Sequence, residues 1–113
     1  MNKSDKFNEE LQELARFARV ISHPARLAIL KFLSESQACI SGDISEFLPL
    51  SRTTVSQHLK ELRDMGLIQG SIDGLKINYC LNATGLKRFS NLFNLFFSSI
   101  NFEESLCSSK KDC

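Results

Sequence analysis

The sequence predicts a mainly α fold with one small β-hairpin, in the order α-α-α-α-β-β-α. Three observations predict it. Apolar residues recur at helical spacing in the segments before Gly66 and after Asn82. Between those segments the period changes to two, around an Asp73-Gly74 turn. Ser, Pro and Gly punctuate the helical segments where helices start and stop. A chain of 113 residues is about one domain with a modest core, which leaves room for a dimer that hides further apolar surface.

The first helix is expected from Asp5 to Ile21. Phe7, Leu11, Leu14, Phe17, Ala18 and Ile21 make its stripe; Glu9, Glu10 and Glu13 sit early and Arg16 and Arg19 late, which suits the helix dipole. Ser22-His23-Pro24 starts a second helix over about 24–35, a capping residue followed by Pro in the first turn. It packs Leu27, Ile29, Leu30, Phe32 and Leu33 inward. His23 has no acid at helical spacing and is given a local capping or packing role. Ser41-Gly42-Asp43 opens a short third helix, Asp43 to Leu48, which Pro49 ends.

The fourth helix carries the most information. Ser51 is its N-cap and Gly66 its stop, and Val55, Leu59 and Leu62 form a buried stripe. The outer face carries Thr53, Ser56, Gln57 and Lys60, with Arg52, Thr54 and His58 on its shoulders and no acid before Glu61. Donors and acceptors on side chains of middling length are what a helix needs if its N-terminal half is to enter a DNA major groove. Two short helices joined by a tight turn, the second with such a face, form the helix-turn-helix pattern.

Leu67 to Ile72 and Leu75 to Leu81 then read as two strands. The second places Leu75, Ile77, Tyr79 and Leu81 on one face and Lys76, Asn78 and Cys80 on the other. A hairpin directly after a recognition helix is a wing, and its tip, Asp73 to Lys76, is placed to reach a minor groove or the phosphates through Lys76. The last helix, about Thr84 to Ile100, holds Leu86, Phe89, Leu92, Phe93, Leu95, Phe96, Phe97 and Ile100, more than one stripe. Apolar surface on two sides of a terminal helix calls for a second partner, here the first and last helices of another copy. Residues 1–100 are thus read as one winged helix DNA-binding and dimerisation domain, and 101–113 as a polar, flexible tail.

The formal net charge of +1 argues against a broad polyanion-binding surface, so DNA affinity has to come from local placement of charge. No apolar run suits a signal peptide or a membrane span, and a cytoplasmic location is expected. For the four cysteines, Cys39, Cys80, Cys107 and Cys113, a structural disulfide framework is therefore not expected. No nucleophile–base–acid grouping or paired carboxylates suggest an enzyme.

Two motifs at their proper separation carry a family resemblance. His23-Pro24-Ala25-Arg26-Leu27-Ala28-Ile29-Leu30, and Thr54 to Leu62 followed by Gly66-Leu67-Ile68, resemble the corresponding segments of the ArsR family of small metal- and stress-responsive repressors. The resemblance runs from about Phe17 to Leu81. It implies a homodimeric winged helix-turn-helix repressor, paired through its first and last helices, that binds a palindromic double-stranded operator and is released by an inducer. By position it places Ser51, Arg52, Thr53, Thr54, Gln57, His58 and Lys60 at the DNA.

Family members sense metals through thiolate or imidazole sites. The last helix has no His, which argues against a zinc site there. Cys39-Ile40-Ser41 keeps the first cysteine of the family's Cys-x-Cys motif but not the second. Cys39 with tail residues Cys107 and Cys113 would offer three thiolates to arsenic(III) or antimony(III), soft centres that suit sulfur; no cofactor is otherwise required. Cys80, on the polar face of the wing strand, is not assigned as a ligand. The alternatives are a thiol-redox-responsive or non-metal-sensing regulator of the same fold, or a winged helix module that binds protein.

Overall fold

The computed structural model describes residues 6–36, 39–41, 48–73 and 76–100, with 41, 71–73, 76 and 77 described by backbone alone. Its elements are α1 (Glu9–Val20), α2 (Pro24–Glu35), β1 (Cys39–Ser41), α3 (Arg52–Asp64), β2 (Ile68–Asp73), β3 (Lys76–Leu81) and α4 (Ala83–Ser99). The predicted fold class stands: helices with a small antiparallel hairpin between the last two. The expected third helix lies outside the described residues apart from its end at Leu48, and α3 is the helix expected fourth.

Local chemistry explains the boundaries. The Asn8 side chain accepts from the Leu11 amide at 2.8 Å, so α1 starts at Glu9 rather than at Asp5. Phe7 precedes the helix and is exposed. Pro24 takes the first position of α2, where an amide proton would have no partner anyway. The end of α3 is a Schellman turn: the Leu67 amide donates to the Leu62 carbonyl at 3.0 Å and the Gly66 amide to that of Arg63 at 2.9 Å. Gly66 sits at φ 82°, a left-handed conformation that a side chain would resist. The α4 N-terminus packs onto this turn so closely that a β-carbon on Gly85 would collide with the Gly66 carbonyl oxygen.

The hairpin register is Ile68↔Leu81 through Asp73↔Lys76; Asp73, expected in the turn, is instead the last residue of β2, and β3 begins at Lys76 rather than Leu75. A third strand, β1, pairs antiparallel with the other edge of β3, giving the order β1-β3-β2. Sequence periodicity had not indicated β1, because three residues are too few to show a period.

The core gathers Phe17 and Val20 of α1, Ile29 and Leu33 of α2, Val55, Leu59 and Leu62 of α3, then Leu67, Ile68 and Tyr79. The α3 stripe is as predicted. Leu27 is not: it is 50% exposed, since Ile29 and Leu33 take the inward face of α2. No α4 residue is fully buried. Leu86, Phe89 and Leu92 lie half-buried on the core, with the Phe89 ring stacked on Phe17 at 4.9 Å. An exposed ion pair from Arg88 to Glu13 also ties α4 to α1, its Nη2 donating to Oε1 at 2.6 Å. Hydrogen bonding from Arg88 holds the Glu13 carboxyl below its ordinary range.

Candidate nucleic-acid interface

The site begins with the N-cap of α3. Ser51 Oγ accepts from the Thr54 amide at 3.2 Å and donates to Thr54 Oγ1 at 2.9 Å. The cap satisfies one orphan amide of the first turn, and that turn carries no acid. No acid within that turn therefore offsets the positive end of its dipole. With Val55, Leu59 and Leu62 facing the core, the spacing turns Thr53, Gln57 and Lys60 outward, and all three are exposed. Ser51, Arg52 and Thr54 are exposed beside them, and Ser56 is half-buried.

His58 differs from the rest. It is half-buried, and its Nδ1 accepts from Arg26 Nε at 3.0 Å. The same guanidinium donates through Nη1 to the Val20 carbonyl at 3.0 Å, so Arg26 joins the end of α1 to the flank of α3. The His23 ring lies 5.7 Å from that of His58. Burial, then the charge of Arg26 and then His23, push the His58 pKa below its ordinary 6.5. A neutral ring with Nδ1 accepting carries its proton on Nε2. Arg26, Thr54, Gln57, His58, Lys60 and Glu61 line a shallow pocket on this side of α3.

Arg26 belongs to the His23–Leu30 motif, and the sequence alone assigns it no role. Only the fold reveals one, because its partner is 32 residues away. His23 is the N-cap residue of α2 by backbone; its side chain makes no capping bond. Lys76 opens β3 opposite Asp73, at the base of the wing tip.

The expectation that the cysteines form no structural disulfide needs correction. Cys39 is disulfide-bonded to Cys80, its direct register partner across β1 and β3, with Cα atoms 3.9 Å apart. A pair separated by 41 residues leaves no local pattern, so neither the bond nor the involvement of Cys80 was expected. Cys107 and Cys113, the other two expected ligands, lie outside the described residues. Among the described residues, no three His, Cys, Asp or Glu gather where they could hold a metal ion, and no helix is long and apolar enough to cross a membrane.

A capped helix with an open polar face, followed at once by a hairpin, places the chain in the winged helix class. The chain belongs to the bacterial ArsR family: residues 23–69 match the family described as "Bacterial regulatory protein, arsR family". It is similar to the HTH-type transcriptional regulator YgaV of Escherichia coli K12, 37% identical over 70 residues, covering 62% of this chain and 71% of that one. It is also similar to the arsenical resistance operon repressor of Staphylococcus xylosus, 33% identical over 99 residues, covering 88% and 90%. A solved structure described as a possible transcriptional regulator for arsenical resistance superposes with a TM-score of 0.59 at 28% identity, covering 74% of this chain and 83% of that one. The family and these relatives are transcriptional regulators, not enzymes.

Proposed function

We propose that the chain acts as a homodimeric repressor that docks α3 of each subunit into an operator and leaves it when a thiophilic inducer binds. The observation that carries this reading is the division of α3: an apolar stripe sunk in the core and an exposed, acid-free N-terminal half. In that half Gln57 can read adenine through two hydrogen bonds, and Arg52 can address guanine or a phosphate. The hydroxyls of Ser51, Thr53 and Thr54, the Lys60 ammonium and Lys76 on the wing suit phosphate. His58, its Nδ1 taken by Arg26, would address the DNA through Nε2.

Pairing of subunits is supported by the apolar residues left in water on α1, α4 and the α4 C-cap: Leu11, Phe93, Leu95, Phe97 and Ile100 are each at least 39% exposed. The inducer is trivalent arsenic or antimony, held by thiolates that include Cys39, with Cys107 and Cys113 as the further candidates. The similarity to an arsenical resistance repressor supports this class. The Cys39–Cys80 bond favours a second reading, a regulator of the same fold that responds to thiol oxidation.

The test is binding of the full chain to the promoter of its own gene. Gln57→Ala and Arg52→Ala should each weaken binding by about 1–3 kcal/mol and relax sequence preference. Unchanged affinity and preference in both would overturn the assigned reading face. Arsenite added under reducing conditions should release the DNA; unaltered affinity would remove arsenite as inducer. A peroxide control tests the redox reading.

A further inference from the structure

We propose that Cys39 and Cys80 together are a dithiol site that captures trivalent arsenic or antimony through two thiolates of a single chain. The proposal rests on the reading of the inducer as a thiophile and names a site for it. It replaces the tail by a strand pair already assembled by the fold.

Strand geometry brings the sulfurs together. Alternation along β3 turns Tyr79 into the core and Cys80 to the other face of the sheet. Along β1 it turns half-buried Ile40 toward the core and Cys39 outward. The register sets Cys39 directly opposite Cys80, so their side chains leave the sheet side by side, and the bond between them shows how closely the sulfurs approach. Cys39 is exposed and Cys80 half-buried, which gives a small solute access from solvent. A ligand that needs two sulfurs meets them already aligned and held by a sheet, with little ordering left to do on binding.

The donor set selects the ligand. Trivalent arsenic and antimony are soft and bond thiolate sulfur strongly. Structural zinc takes four protein ligands, and among the described residues no third His, Cys, Asp or Glu stands with this pair. Arsenous acid needs no third ligand: As(OH)3 plus two Cys–SH gives (Cys–S)2As–OH plus two waters. Two S–H and two As–O bonds break, two As–S bonds form, each thiol proton leaves in a water, and arsenic stays trivalent. The disulfide is the closed form of the same site. Two equivalents of a low-molecular-weight thiol open it by exchange, the thiol being oxidised to its own disulfide as the two cysteines are reduced.

Position links capture to regulation. β1 precedes α3 in the chain, and β3 is the wing strand. A bridge between their sulfurs joins β1, which precedes the recognition helix in the chain, to the wing strand, one of the parts proposed to meet DNA.

The experiment uses the full chain, reduced with a phosphine, desalted without oxygen and titrated with phenylarsine oxide, which can take two thiolates. Titratable thiols should fall by two for each arsenical bound, and peptide mapping by mass should recover the arsenic joining the Cys39 and Cys80 peptides. Capture should survive in Cys107→Ser/Cys113→Ser and weaken at least a hundredfold when Cys39→Ser or Cys80→Ser is added. Mapping on the unsubstituted chain needs no variant to fold. Arsenic found on tail peptides, full capture in Cys80→Ser, or no capture by the reduced chain would each overturn the proposal. Because no DNA is present, failure to bind an operator leaves this result unaffected. Capture without release of operator would support the site while removing its role in induction.

Discussion

α3 and α4 are both amphipathic and rest on the same small core, yet they leave opposite kinds of surface in water. α3 buries Val55, Leu59 and Leu62 and exposes Thr53, Gln57 and Lys60. α4 is longer, buries no residue fully and leaves Phe93, Leu95 and Phe97 exposed, with Ile100 exposed at its C-cap. A helix whose apolar stripe is covered by its own chain is held in place, so its polar face can meet a ligand with fixed geometry. A helix whose stripe is only half covered has packing left to complete, and in the proposed dimer a second copy would complete it by symmetry.

The difference predicts unequal costs for equal cuts. Leu59→Ala should destabilise the fold by about 2–5 kcal/mol in denaturant unfolding, because its site is fully enclosed. Leu95→Ala, at 65% exposure, should cost less than about 1 kcal/mol when measured at concentrations where the chain is monomeric. Equal losses would break the comparison. The next effect belongs to the α4 face. Phe93→Asp with Phe97→Asp should raise the dimer dissociation constant by about thirtyfold or more, the roughly 2 kcal/mol of a central aromatic anchor. Sedimentation equilibrium reads it, and an unchanged constant would move the interface elsewhere.

Smaller effects sharpen the account of α3. Ser51→Ala removes the hydroxyl that caps the helix and should lower stability by about 1 kcal/mol, seen as a fall in melting temperature. The smallest effect is a pH dependence. The folded state holds His58 below its unfolded value of 6.5, so the unfolded chain binds the proton more readily. The stabilising contribution of neutral His58 is complete above 6.5 and is lost as pH falls through the lowered folded value. Unfolding curves across that range should show His58→Gln flattening the slope; an identical slope would mean that His58 does not hold its half-buried place beside Arg26 in solution.

What could be read from sequence was what neighbouring residues decide. The Ser51 cap, the Gly66 stop, the Val55-Leu59-Leu62 stripe and the presence of a hairpin after α3 all depend on residues within a few positions of one another. The excess of apolar side chains on α4 was equally visible, because composition alone shows it. Long-range features were hidden. β1 exists only through its pairing with β3, and the Cys39–Cys80 bond follows from that register. Arg26 owes its contact with His58 to the way α2 packs against α3. Leu27 was misread because α2 is apolar on more than one side, and periodicity could not choose between the sides.

The most direct test of the central claim is a hydroxyl-radical footprint of the full chain on the promoter of its own gene. Two α3 helices presented by a symmetric dimer should protect two dyad-related half-sites about one helical turn apart, or a whole multiple of it. Both should fade together in Phe93→Asp/Phe97→Asp. A single protected half-site, or paired protection that this variant leaves intact, would contradict the account.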